Sequence, residues 1–423
     1  MKHLLAALAM LATLPAHAET VAIVNARAWT MTAETPIENA TIVARDGKIV
    51  SIAGAGAVPA GARVIDAAGR IVTPGLVNAA TQLGLTEVSG ARETNDQSVA
   101  SGALGAAFDV QYALNANSTL VAQARADGVT EAMVFPGGSA SAPFQGRGAL
   151  VHLKPDGDIL DRAQAALFVR VGGGTSDKVG GSRAAQWQLI RNALDEARAP
   201  QIIDPRERLL GRLDRASLAP VLDRRIPLVI AAERESDIRQ AIALADDYGI
   251  RVVIFGGAEA WRARTDLAAK GIPVILDPAL NLPYSFDQIG ARLDNAALLS
   301  AAGVKVAFSA SGPGSSIHLS LNAGSALREG AGIATANGLP YAKALRAITR
   351  SAAEIWGADD RQGSIAPGKA ADLVIWDGDP LEPSSGPATV LIGGREVADT
   401  SRQAALRERY RPRTETLYPA AYR

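Results

Sequence analysis

Six apolar runs constrain this chain more than any other feature: TEAMVFP (130–136), ALFVRV (166–171), PLVIAAE (227–233), RVVIFGG (251–257), PVILDP (273–278) and VKVAFSAS (304–311). Continuous Val/Ile/Leu runs of this length, alternating with helical segments, mark parallel strands buried on both faces and joined by right-handed βαβ crossovers. The span from Pro74 to about Ala366 is close to the length of an eight-stranded β/α barrel. Short strand patterns broken by glycine turns occupy both ends, VAIVNA, ATIVARDGKIVSIAG and ARVIDAAGRIV before the barrel and ADLVIWDGDP and TVLIGGREV after it. We therefore expect an α/β protein: a (β/α)8 TIM-type barrel over 73–366, with a small composite β-sandwich domain built from 19–72 and 367–423.

The first eighteen residues, MKHLLAALAMLATLPAHA, place Lys2 and His3 before an apolar run and end on Ala16-His17-Ala18. That order is expected of a signal peptide cleaved after Ala18, and it points to a soluble periplasmic protein with no membrane insertion. The chain has no cysteine, hence no disulfide, no lipidated cysteine and no thiolate ligand. With 43 basic and 43 acidic residues the formal net charge is zero, so no global field draws nucleic acid. The basic stretch RQAALRERYRPR (402–413) reads as a solvated face.

Five segments in order resemble the amidohydrolase superfamily, specifically its secreted branch close to imidazolonepropionase-type hydrolases. They are IVTPGLVNAATQLGL at the first barrel strand, GVTEAMVFPGG at the second, RESDIRQAIALADDYGIRVVI after the fifth, ALRAITRSAAEIWG in the last helix, and GSIAPGKAADLVIWDGDPLE (363–382) at the return into the β domain. The resemblance covers nearly all of the expected mature chain. It implies a barrel whose C-terminal mouth, in working members, holds zinc or a similar ion on histidines at strands one, five and six and an aspartate at strand eight, the ion activating a bound water.

Those positions are altered here. The strand-one pair aligns with Ala80 and Gln82, the strand-five pair with Ala231 and Glu233, the strand-six histidine with Gly256, and the strand-eight aspartate with Ala310 or Ser311. Ala80 has no donor atom, Gln82 offers only a neutral amide oxygen, and Glu233 is the one substitution that could still ligate a metal. Histidine content agrees, since only His152 and His318 lie outside the leader. His152, in GALVHLKPDG, reads as an ordinary polar residue of a surface hairpin, whereas His318 follows the glycine turn after strand eight near the mouth. Two histidines and no cysteine cannot build a three- or four-ligand imidazole site. No metal or other cofactor is expected.

Other groups can line the mouth. The loop EVSGARETNDQ (87–97) carries Glu87, Arg92, Glu93 and Asp96, while Gln145 and Arg147 lie near strand two. Glu233 and Arg234 end strand five and read as an ion pair, and Asp277, ending strand seven, is the best-placed carboxylate for a general base. The glycine-rich stretch 171–182 lacks the lysine of a phosphate loop, and Ser311, Ser315 and Ser316 have no histidine placed as their base.

Three functions are compatible with this reading. The first is a pseudoenzyme that binds a small molecule or a protein partner, such as an active amidohydrolase relative. The second is a metal-independent or atypical-metal hydrolase of C–N bonds, a non-peptide or cyclic amide, with Asp277 and Glu233 as catalytic candidates. The third is oxygen-only ligation of Mg²⁺ or Ca²⁺ by Glu233, Asp277 and loop acids.

Overall fold

Asp46 and Gly47 both adopt positive φ, 51° and 77°, which is what a two-residue type I′ hairpin requires. They join β2 (Ile37–Arg45) to β3 (Lys48–Gly54), and β2 pairs on its other side with β1 (Thr20–Ala28). Strands β4 (Arg63–Asp66) and β5 (Ile71–Pro74) run parallel to β1. The computed structural model describes residues 19–411, apart from 89, 103, 140–141, 174–178, 180, 200–203, 205, 207, 281 and 311–321. Residues 1–18, Ser311, Ser315, Ser316, His318 and half of the 171–182 stretch lie outside the described residues.

The chain's other end completes the same sheet. With β14 (Leu373–Trp376), β15 (Pro387–Ile392) and β16 (Arg395–Glu396), the strand order is β16-β15-β14-β5-β1-β2-β3. The seam is β5 against β14, with Pro74 opposite Leu373. The Trp376 indole, fully buried, donates to Thr73 Oγ1 at 2.9 Å across it. The helix Arg402–Tyr410 has no buried residue, and Gln403 donates to Gln123 on the barrel helix Thr119–Ala126.

The barrel sheet comprises β6 (Leu76–Thr81), β7 (Val129–Val134), β8 (Phe144–His152), β9 (Leu160–Arg170), β10 (Leu228–Ala232), β11 (Val252–Gly256), β12 (Val274–Leu276) and β13 (Val306–Phe308), neighbours in that order. It is an α/β barrel, nearly closed. On its other side β6 is held by the C-terminal helical segment: Val77 N–H donates to Ile348 O, just past the helix Tyr341–Ala347, at 2.8 Å, and the Trp356 indole of the helix Arg350–Trp356 donates to Ala79 O at 3.1 Å.

One strand departs from uniform alternation. β8 runs antiparallel to both β7 and β9, so the third strand is reached through short loops instead of a helical crossover. Reversal puts the start of β8 at the mouth and its end at the floor. Gln145 is thus a mouth residue of its own strand, and His152 ends the first arm of the expected hairpin, now with β9, its ring half-buried at the floor and facing the sheet domain. There its Nε2 lies 2.7 Å from Asp372 Oδ2, and Asp372 Oδ1 accepts from Gly393 N–H. His152 therefore ties the barrel to the composite sheet.

Opposite His152 in the β7–β8 register stands Glu131, 1% exposed, with Oε2 lacking a hydrogen-bond partner. Burial, with Asp161 and Asp372 adding repulsion against the attraction of Arg361 and Arg162, pushes its carboxyl up to about 8. The folded chain therefore holds a proton here that the unfolded chain releases near 4.5, and stability contributed by the neutral form declines as pH rises between those values. Glu131→Gln should flatten that decline: thermal denaturation is expected to show a gain of a few kcal/mol over wild type at pH 9 and little difference at pH 4.

Candidate functional site at the barrel mouth

Alternate residues of the strands point into the barrel, where large rings and small side chains compensate one another. Phe135, Phe168 and Phe255 are 1% exposed or less and share one buried cluster with Ala79, Ala80, Val229, Ala231, Val253, Ile275 and Ala307. Phe135 stacks on Phe168 at 5.4 Å and meets Phe255 edge-on at 5.1 Å. Ala80 and Ala231, the two alanines at positions where the resemblance implies imidazole, are members of this apolar plug at 1% and 2% exposure.

Glu233 follows β10 and turns across the mouth. Its Oε2 accepts from Ala258 N–H at 2.9 Å and its Oε1 from Gln288 Nε2 at 3.1 Å. Gly256, with φ +96°, explains how it fits: a Cβ there would stand 2.7–2.9 Å from the Glu233 carboxyl atoms. The carboxylate fills the space that any side chain at 256 would need, so glycine at strand six and glutamate at strand five form a matched pair. Burial raises the Glu233 carboxyl, Asp277 raises it further, and the two hydrogen bonds and Arg170 oppose the shift. Arg170, at the end of β9, is itself lowered by burial and held by attraction to Glu233. Sequence reading missed it, because an arginine closing an apolar run resembles an ordinary strand terminus.

Glu233 and Arg234 do not form the expected ion pair with each other. Successive residues leaving a strand point opposite ways, and Arg234 NH2 instead reaches Asp287 Oδ1 at 3.3 Å. Asp287 also pairs with Arg183 and accepts from Gly173 N–H at 2.7 Å. With Gln288 bound to Glu233, the segment after strand seven is pinned to the ends of strands four and five. Neither Asp287 nor Gln288 carried any sequence signal, since their partners lie far away in the chain.

Asp277 directly follows β12, and its Oδ1 accepts from Ala279 N–H at 3.0 Å. Beside it a small recess is lined by Gly256, Leu276 and Asn295 among others. Asn295 is 6% exposed; its Nδ2 donates to Gly257 O at 2.9 Å, while Oδ1 is without a partner. On the opposite side, Gln82, Gln97 and Gln145 gather around Gly137. Gln145 Nε2 donates to Gly137 O at 3.2 Å, a Cβ at Gly137 would touch Gln82 Nε2 and the Gln97 side chain, and the Oε1 atoms of Gln97 and Gln145 are buried without partners.

The remaining candidates are placed elsewhere. Glu87 accepts from Asn115 Nδ2 and Thr119 Oγ1 at the start of a helix, and Arg92, Glu93 and Asp96 are exposed. Arg147 binds Asp109 Oδ2 and Ala107 O, each at 3.2 Å, and is thereby committed to packing a neighbouring loop. Ala310 follows β13 and offers no donor.

Among the described residues, the donors do not gather as the ion of working amidohydrolases would require. Among the described residues no three of His, Cys, Asp and Glu converge, Ala80 and Ala231 are packed in the plug, and the Glu233 carboxylate is engaged by an N–H and an amide.

The fold is a nearly closed α/β barrel joined to a separate composite sheet. The amidohydrolase family profile matches residues 234–400. An amidohydrolase from Thermotoga maritima MSB8 aligns with a TM-score of 0.79 and 26% identity over 89% of this chain and 99% of that one. Molinate hydrolase shares the fold alone, at TM-score 0.55 and 18% identity over 95% of this chain and 99% of that one. A curated relative, amidohydrolase tasK of Hapsidospora irregularis, is 42% identical over 62 residues, 15% of this chain and 6% of its own length. By the profile match over residues 234–400 and by its fold, the chain is similar to amidohydrolases. Among the described residues no helix is long and apolar enough to cross a membrane.

The Glu233–Gly256 pairing is directly testable. Gly256→Ala should cost about 2 kcal/mol or more, from the positive φ and from collision with the carboxylate. Glu233→Ala in the same background should recover about 1 kcal/mol of it in a denaturation double-mutant cycle. Strict additivity would mean that the carboxylate does not occupy that space.

Proposed function

We propose that this chain is an exported amidohydrolase-superfamily protein without metal-dependent hydrolysis, whose barrel serves to bind a small molecule or a protein partner. The observation that carries this reading is the apolar plug. Ala80 and Ala231 share one buried cluster with Phe135 and Phe255, so two of the family's ligand positions belong to the hydrophobic interior of the barrel. Restoring imidazoles there would overfill a close-packed core. A binding role is supported by the polar groups left around the mouth. Buried amide oxygens without partners on Gln97, Gln145 and Asn295 require hydrogen-bond donors, from water or from a ligand bearing N–H or O–H groups.

Metal content of the mature protein, measured by inductively coupled plasma mass spectrometry after dialysis and after incubation with Zn²⁺, Mn²⁺ or Mg²⁺, tests the proposal. Less than a tenth of an equivalent is expected in every case. One tightly held equivalent would overturn it and direct attention to Glu233 and Asp277 as oxygen ligands.

A second reading rests on the electrostatic coupling of Glu233 to Asp277. Two carboxylates at one mouth, one of them raised by burial, have the character of an acid–base pair for metal-free hydrolysis of a C–N bond. Under this reading Asp277→Asn should lower kcat at least a hundredfold on any amide the protein turns over. Unchanged turnover would remove Asp277 from the chemistry.

A further inference from the structure

The segment after strand seven presents four large apolar side chains to solvent within eight residues: Leu282 is 70% exposed, Tyr284 88%, Phe286 83% and Ile289 64%. Its backbone is held in place. Asp287 is fixed by Arg183, Arg234 and Gly173 N–H, Gln288 bridges Glu233 and Tyr284 N–H, and Gly290 O accepts from the Trp261 indole at 3.0 Å. An apolar surface held this firmly is already organised for association and loses little conformational entropy on contact.

We propose that this segment is a self-association surface through which two copies of the chain meet about a two-fold axis. Two aromatic rings and two aliphatic side chains at these exposures offer roughly 600 Å² of surface, most of the ~800 Å² per partner of a standard interface. A two-fold contact brings a patch against itself, so the patch must be self-complementary. Apolar side chains satisfy that without any reversal of charge or of donor and acceptor. The flanking charges are already neutralised within the chain, Asp287 by Arg183 and Arg234, and Arg292 by Asp294. With a net charge of zero, two copies meet no general repulsion. Because Gln288 joins the segment to Glu233, the contact would brace the mouth of each barrel. The inference stands whether or not either barrel binds metal.

Sedimentation velocity over a dilution series tests it, using the mature wild-type chain and the variant Tyr284→Ser with Phe286→Ser. Wild type is expected at twice the monomer mass. The variant is expected at the monomer mass with unchanged circular dichroism and Tm, because both rings are exposed and the Tyr284 N–H bond to Gln288 does not involve the ring. A wild-type monomer throughout the series would overturn the proposal, as would a variant that stays dimeric. Wild type that is monomeric and co-sediments with phosphatidylcholine vesicles would assign the patch to a lipid surface instead.

Discussion

The packing of Phe135, Phe168 and Phe255 against alanines inside the barrel is the constraint on which the rest of the molecule depends. A β/α barrel is stable only if its interior is filled, and the residues that fill it come from alternate positions on every strand. In this chain the filling extends to Ala80 and Ala231. The stability of the scaffold and the chemistry of the mouth are therefore set by the same contacts, since volume given to rings is not available to imidazoles and an ion.

A second layer sits above the plug, and it is polar. Glu233 lies over Gly256, is fixed by Ala258 N–H and Gln288, and is balanced between Arg170 and Asp277. A buried carboxylate must be hydrogen-bonded and paired, and those requirements draw in residues from the ends of strands four, five and seven. Gln288 and Asp287 carry the arrangement outward, so that the exposed apolar segment and the mouth form one connected structure. At the barrel floor, the His152–Asp372 contact does the same between the two domains.

Much of this was legible in the residues. Strands five to eight were readable because parallel strands buried on both faces leave uninterrupted apolar runs, and the junction after Gly363 was readable because turn glycines and a strand follow in fixed order. The position of Asp277 at a strand end followed from those runs, and those of Ala80, Ala231, Glu233 and Gly256 from the family resemblance. The antiparallel third strand was not legible, since an apolar run carries no sign of its direction. The hairpin at His152 was legible while its partner Asp372 was not, and Arg147 was credited with a mouth role that its bond to Asp109 precludes. The supposed pair of Glu233 with Arg234 failed for a simpler reason: neighbours in sequence leave a strand on opposite sides.

By itself, the sequence determined the barrel and its composite sheet, together with the scarcity of imidazole and the absence of thiolate, because composition and period-two or period-3.6 patterning are local properties of the chain. Only the tertiary structure decided what occupies the space at the mouth. Whether Ala80 leaves a void or meets a phenylalanine, and whether Gly256 is a mere turn or room for Glu233, depends on side chains brought together from strands far apart in the chain. Close packing and the pairing of buried charge are properties of that assembly, and no single segment carries them.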